Sequence, residues 1–466
     1  MPRTRSETLQ SAVAPPEGWT PASWRDRQAL QQPAYGDGQQ LEGVLGELHA
    51  LPPLVTSREV MNLRQQLAEA QEGKRFLLQG GDCAEIFDDC TPEVISNRLK
   101  VLLQMSLVLV HGLRLPVVRV GRFAGQYAKP RSADMETRDG VTLPSYRGDI
   151  VNGPEFIPEA RVADPRRMIK AHARSAMTMN FIRALIDDGF ADLHHPEYWN
   201  LGWVGQSPLA EEYQKMVAGI GDAVRFMETL SGSSLHNLRS VEFYTSHEAL
   251  LLPYEEGVTR QVPRQSGWFN LGTHFPWIGM RTAAVDGAHT EYFRGIRNPI
   301  AIKVGPSVSP DQLLRLIDVL NPNDEPGRLS LIHRMSAGSI AEKLPPLLEA
   351  MKRDGRRVLW ICDPMHGNTE STSNGFKTRR FANIRSELEQ AFELHAAVGT
   401  RLGGVHLELT GEDVTECTGG ARDLTEIDLE RAYRTTVDPR LNYEQALEIA
   451  MLIVRKQAQI NAPTML

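Results

Sequence analysis

The segment RFLLQGGDC at residues 75–83 is a short apolar run that ends in two glycines, an aspartate and a cysteine. A run of this length without strict alternation suits a strand of a parallel sheet covered on both faces. Seven later segments share its form: PVVRVGR at 116–122, VEFYTSH at 241–247, WFNLGTH at 268–274, IAIKVGP at 300–306, LSLIHRM at 329–335, RVLWICD at 357–363 and GVHLELTG at 404–411. Helical patterns separate them. TPEVISNRLKVLLQMSLVLV opens on Thr91 as a cap with Pro92 at the first helical position, and SPDQLLRLIDVL repeats the device with Ser309 and Pro310. FKTRRFANIRSELEQAFELHAAVG, from Phe376, stops on Gly399.

Eight strands alternating with helices predict an α/β fold, specifically a (β/α)8 TIM barrel over residues 74–466. About 120 residues separate the second and third strands, so the barrel carries an insertion there. It begins as a loop, PRSADMETRDGVTLPSYRGDIVNG, and becomes helical over about 164–230. Residues 1–73 form an N-terminal extension. Pro33, Gly36 and Gly38 break its first fifty residues into an irregular arm with short helical pieces.

Composition narrows the function classes. The 466 residues are 41% hydrophobic and 23% charged, which is ordinary for a soluble enzyme. Lys and Arg total 51 against 58 Asp and Glu, a net charge of -7, so no global basic field draws the chain to nucleic acid or an anionic membrane. MPRTRSETLQ lacks the apolar stretch of a secretory signal. The greasiest segment, 101–118, is interrupted by Gln104, His111, Arg114 and Pro116 and reads as a buried helix running into a strand. Four cysteines make no disulfide framework, and a cytoplasmic setting is expected. Phosphate-loop, dinucleotide-binding and serine-nucleophile motifs are absent.

Barrel chemistry sits at the carboxyl ends of the strands. The first strand leads to Cys83 and the second to Arg122; the third ends at His247 and Glu248, and the fourth leads to His274, Trp277 and Arg281. Lys303 lies in the fifth, Arg334 ends the sixth, Asp363 and His366 follow the seventh, and Glu408 closes the eighth. Core packing does not explain apolar strands that all terminate this way. Cys83, His366 and Glu408 form a donor set for a divalent transition metal with an open coordination position. Arg122, Arg281, Lys303 and Arg334 suit phosphate and carboxylate, and Lys129-Pro130-Arg131-Ser132 adds two cations and a hydroxyl at the same rim.

Ten segments in order carry a resemblance. They are GGDCAE at 80–85, GQYAKPRS at 125–132, SYRGDIVNG at 145–153, SHEALLL at 246–252, WIGMRT at 277–282, DGAH at 286–289, NPIAIKVGP at 298–306, DPMHGNT at 363–369, GGVHLELTGEDVTEC at 403–417 and DPRLN at 438–442. Together they resemble the type II 3-deoxy-D-arabino-heptulosonate 7-phosphate (DAHP) synthases, from about Trp24 to about residue 455. The resemblance implies one divalent metal ion (Mn favoured, with Co, Fe or Zn also suited) on Cys83, His366, Glu408 and Asp438. Asp438 comes from the resemblance alone. Phosphoenolpyruvate is expected on Arg122, Arg281, Lys303, Arg334 and the main chain of Met280, and erythrose 4-phosphate on Lys129, Pro130, Arg131 and Ser132.

The implied reaction joins C3 of the enol to the aldehyde carbon, adds water at C2 and releases phosphate by C–O cleavage. Lys303 is the first candidate for proton handling near C2, with Glu248 and His366 behind it. Through the extension and the helical insertion, the resemblance also implies a homo-oligomer, dimer or tetramer, and it makes chorismate mutase a candidate partner. Two positions depart from the family pattern. Met280 stands where an acidic residue is common, and Val437 stands where some relatives have a cysteine to pair with Cys83. Two alternatives remain at this stage: a variant serving secondary metabolism with an amino-sugar analogue, and a non-catalytic barrel that regulates a partner.

Overall fold

The computed structural model of the protein describes residues 16–190, 211–219, 222 and 241–461. Its centre is a curled, parallel, eight-stranded sheet in a mixed α/β molecule. The strands are β1 (Phe76–Gly81), β2 (Val117–Arg122), β3 (Tyr244–Thr245), β4 (Trp277–Ile278), β5 (Ile300–Val304), β6 (Leu329–His333), β7 (Leu359–Cys362) and β8 (Leu402–Glu408). They lie in the order β3-β2-β1-β8-β7-β6-β5-β4. Between the two outermost strands, Phe275 N–H donates to Thr245 O, Trp277 N–H to His247 O and Ala249 N–H to Trp277 O, each at 3.1 Å.

Both faces of the sheet are covered, as its unalternating sequence requires. Leu77, Val118, Val120, Ala301, Ile332 and Ile361 form one buried cluster with Leu63, Leu67 and Ala70 of the helix Ser57–Gln71. That helix starts on a reciprocal cap: Thr56 Oγ1 accepts from Glu59 N–H while Glu59 accepts from Thr56 N–H. The opposite face packs against the connecting helices. Among them Pro92–Leu113 is capped by Thr91, and Pro310–Leu320 by Ser309. Pro92–Leu113 is long and apolar enough to cross a membrane, but it is mostly buried against the sheet and the helix Tyr443–Asn461. All four cysteines are free.

Three local expectations shift. The fourth parallel strand is Trp277–Ile278, not WFNLGTH. Gln265–Asn270 pairs antiparallel with Thr259–Val262, turned by Arg264 at φ 65°, and Phe269 and Leu271 pack with Leu54, Val55 and Val60. The helix after β7 begins at Phe381 rather than 376, because Lys377–Arg379 pairs with Thr369–Ser371 in a hairpin; it still ends on left-handed Gly399. The arm holds one full helix, Gly38–Ala50, capped by Asp37. Of the helical stretch expected over 164–230, Arg166–Asp187 and 211–219 are helical, while 191–210, 220–221 and 223–230 lie outside the described residues.

Candidate active site

All eight strands send a side chain, from their ends or just beyond, to one cavity of about 280 Å³. Every residue singled out above as a ligand, substrate contact or proton carrier lines it: Cys83, Arg122, Lys129, Pro130, Arg131, Ser132, Glu248, Met280, Arg281, Lys303, Arg334, His366, Glu408 and Asp438. Seven lining cations (Arg122, Lys129, Arg131, Arg281, Lys303, Arg334 and Lys377) face four carboxylates (Glu136, Glu248, Glu408 and Asp438). A chain of net charge -7 thus concentrates positive charge at one mouth. His247 and His274 do not line it. They are buried structural groups, His247 on Glu255 at 2.9 Å and His274 Nδ1 accepting Thr245 N–H at 2.9 Å.

Backbone geometry brings the strand ends close. Gly81 has φ 148°, and a Cβ there would stand 2.8 Å from Arg122 O. After β2, Ala124 adopts φ 62°, and the N–H groups of Ala124, Gly125 and Gln126 all point at the Glu85 carboxylate, at 3.0, 2.9 and 2.8 Å. Three successive amides around one carboxylate form a nest. It ties the Cys83 loop to the strap that carries Lys129 through Ser132.

Cys83, Glu408 and Asp438 place one donor atom each within 4.8 Å of one another. Lys129 Nζ lies among them, 2.7 Å from Cys83 Sγ and 2.6 Å from Asp438 Oδ2. His366 stands beside the group, its Nε2 2.8 Å from Glu408 Oε1. A thiol, an imidazole and two carboxylates from four separate segments fit a divalent transition ion. Burial and neighbouring Glu408 push the Cys83 thiol up. Burial opposes ionisation of Glu408, yet His366, Arg379 and Arg122 hold it well below the carboxylate range. Asp438 is likewise depressed against its burial, chiefly by Lys129.

Behind the lining runs a set of orienting contacts that strand-end reasoning missed. Asp363 Oδ2 accepts from His366 Nδ1 at 2.7 Å and pairs with Lys303 Nζ, while its Oδ1 accepts the N–H groups of Met365 and His366. Burial lowers Lys303 to about 8, with Asp363 resisting the fall. Arg122 donates to Glu408 at 3.0 Å and meets His406 Nε2 at 2.7 Å, and His406 Nδ1 lies 2.8 Å from Gln79 Oε1. Because Arg122 only donates, His406 Nε2 accepts and Nδ1 carries the proton. Arg379 grips the other Glu408 oxygen at 2.8 Å. His406 had a legible signal, since it lies two residues before Glu408 and so on the same face of β8. Arg281 reaches Ser132 Oγ at 3.2 Å, and Arg334 donates to His366 O at 2.5 Å.

A parallel α/β scaffold that converges cations around a thiol–carboxylate cluster defines an enzyme for small anionic substrates with a metal-ready site. The chain belongs to the class-II DAHP synthetase family, whose model matches residues 19–454. It is 48% identical over 452 residues to the phospho-2-dehydro-3-deoxyheptonate aldolase of Neurospora crassa, with 94% of each chain covered. It is 47% identical over 446 residues to the enzyme of the same name from Streptomyces coelicolor, covering 96% of this chain and 98% of that one.

Proposed function

We propose that this enzyme condenses phosphoenolpyruvate with erythrose 4-phosphate to give DAHP and inorganic phosphate, the entry reaction of aromatic biosynthesis. Family membership across nearly the whole chain supports the activity. The observation that carries the site assignment is the convergence of seven cations on a cavity that also holds the Cys83–Glu408–Asp438 cluster. The scaffold is read as a closed (β/α)8 barrel, supported by the main-chain hydrogen bonds between the 245–249 and 275–277 segments. The same reading carries a cytoplasmic homo-oligomer, with the family resemblance as its support.

Arg122, Lys303, Arg334 and Arg281 hold phosphoenolpyruvate, and the Lys129–Ser132 strap holds the phosphate of erythrose 4-phosphate. The Arg281–Ser132 hydrogen bond links the two subsites. Such orientation of two bound anions supplies on the order of 7–11 kcal/mol of a bimolecular barrier. A divalent metal, with Mn favoured, belongs on Cys83, His366, Glu408 and Asp438, where it supplies Lewis acidity toward the aldehyde oxygen. Asp363 orients His366 toward that cluster.

C3 of the enol forms the new bond to the aldehyde carbon, and water adds at C2. The C2–O bond to phosphate then breaks, leaving the ketone; one of the water's protons leaves with the phosphate, and the other is passed to the oxygen of the former aldehyde, which becomes a hydroxyl. Lys303, lowered to about 8 by burial against the pull of adjoining Asp363, holds or passes that proton near pH 7. Glu248, raised by burial, is the second carrier in reach.

Product analysis tests the reading. Purified enzyme given both substrates is expected to form one DAHP and one phosphate per phosphoenolpyruvate consumed. Phosphoenolpyruvate consumed without erythrose 4-phosphate, or no phosphate released with both present, contradicts it.

A further inference from the structure

The amino-terminal arm reaches the rim of the active site at two adjacent glutamines. It is anchored by Trp19 and Trp24, both buried, whose indole N–H groups donate to Glu291 O at 2.8 Å and to Glu256 Oε2 at 2.9 Å. Gly295 makes room for the first anchor, since a Cβ there would meet the Trp19 ring at 2.0 Å. From these anchors the arm runs past the start of the helix Ala288–Gly295, where Ala288 N–H donates to Gln28 O at 3.1 Å.

Gln31 then grips the main chain of Arg131 from both sides: its Nε2 donates to Arg131 O at 3.0 Å, and its Oε1 accepts Arg131 N–H at 2.8 Å. Gln32 repeats the grip on the loop after Glu248, donating to Leu250 O at 2.8 Å and accepting Leu252 N–H at 3.0 Å. Gln31 holds φ 64°, a left-handed conformation that a residue with a Cβ rarely adopts. Strain of that kind persists where surrounding contacts over-determine it. Buried Arg147 braces the same strap, its carbonyl accepting Lys129 N–H at 2.8 Å and its guanidinium reaching Gln31 O at 3.4 Å.

We propose that the arm is a splint of the catalytic site: Gln31 is a positioning residue for the erythrose 4-phosphate strap, and Gln32 for the loop that carries Glu248. The inference rests on the assignment of that strap to erythrose 4-phosphate and adds the arm to the machinery that sets its affinity. Each glutamine makes a pair of amide hydrogen bonds, the exchange a main chain makes in a strand ladder, so each fixes both position and direction of the segment it holds. The arm thereby couples two loops that lie about 120 residues apart in the chain and share no strand.

Gln31→Met and Gln32→Met keep side-chain volume and remove both hydrogen bonds, and the two are compared with the unaltered enzyme. Gln31→Met is expected to raise the KM for erythrose 4-phosphate about tenfold, with the KM for phosphoenolpyruvate within twofold and the melting temperature unchanged. Gln32→Met is expected to lower kcat and leave the KM for erythrose 4-phosphate in place. Hydrogen exchange of the peptide covering Arg131 reads the splint without any substrate, and is expected to quicken in Gln31→Met alone. Unchanged exchange with unchanged constants overturns the proposal, as does an equal loss in both variants with lowered melting, which is what general detachment of the arm gives. Absent turnover in the unaltered enzyme would instead count against the functional reading, while the exchange comparison would still decide the splint.

Discussion

Replacing Asp363 by Asn tests whether a buried carboxylate sets the state of His366. Asp363 is fully buried, and its two oxygens take four donors: His366 Nδ1 and Lys303 Nζ on one, the amides of Met365 and His366 on the other. An asparagine offers one oxygen. If that oxygen keeps the two main-chain amides, its NH2 faces an imidazole N–H and an ammonium. The imidazole then relieves the clash by moving its proton to Nε2, the nitrogen that faces Glu408. A protonated Nε2 cannot ligate. Loss of such an outer partner typically weakens metal affinity 10–100-fold, about 1.4–2.7 kcal/mol. Lys303 also loses its counter-charge, and breaking one side of a buried pair costs on the order of 3–5 kcal/mol of stability, so melting must be followed in parallel. The assay is Mn(II) binding by competition with a chromophoric chelator, on folded protein of each type. Equal affinity in Asp363→Asn and the unaltered enzyme would refute the orienting role.

Lys303→Met is expected to lower kcat at least 10²–10⁴-fold while Mn(II) affinity stays within twofold; normal turnover removes Lys303 from proton handling. Gly279→Ala places a Cβ 1.9 Å from Glu248 Oε1, so the carboxylate swings away at little cost in stability; kcat falls with melting unchanged, and unchanged kcat argues that Glu248 is a bystander. Glu387 lies beneath the loops of Arg334 and His366, accepting from Met335 N–H, Ser336 N–H and Asn368 Nδ2, and burial raises it to about 7. Between its unfolded value near 4.5 and about 7 the folded state holds the extra proton, so stability declines as pH rises through that window, by roughly 3 kcal/mol in all. Glu387→Gln, which cannot ionise, should flatten the melting temperature against pH there; parallel curves would show that another group governs it.

The cavity was legible because parallel strands end where chemistry is placed, and a charge after an apolar run is easy to see. Cys83, Arg122, Lys303, Arg334, His366 and Glu408 were visible in this way, and all line one space. Asp438 was not. It sits on a loop well beyond β8, and only the order of motifs pointed to it. The fourth strand escaped because it is two residues long and follows Pro276, while the stronger apolar run beside it pairs with its own hairpin partner. Contacts such as Asp363 with Lys303, Arg379 with Glu408 or Gln31 with Arg131 join residues dozens of positions apart. No local period records them, so they emerge only when the chain is folded.

The most direct measurement is phosphoenolpyruvate consumption, followed by its ultraviolet absorbance, with and without erythrose 4-phosphate, before chelation, after it, and after Mn(II) is restored. The expected result is consumption that requires erythrose 4-phosphate, stops on chelation and returns with Mn(II). Consumption that survives complete removal of metal, or its absence from metal-replete enzyme with both substrates present, would contradict the account.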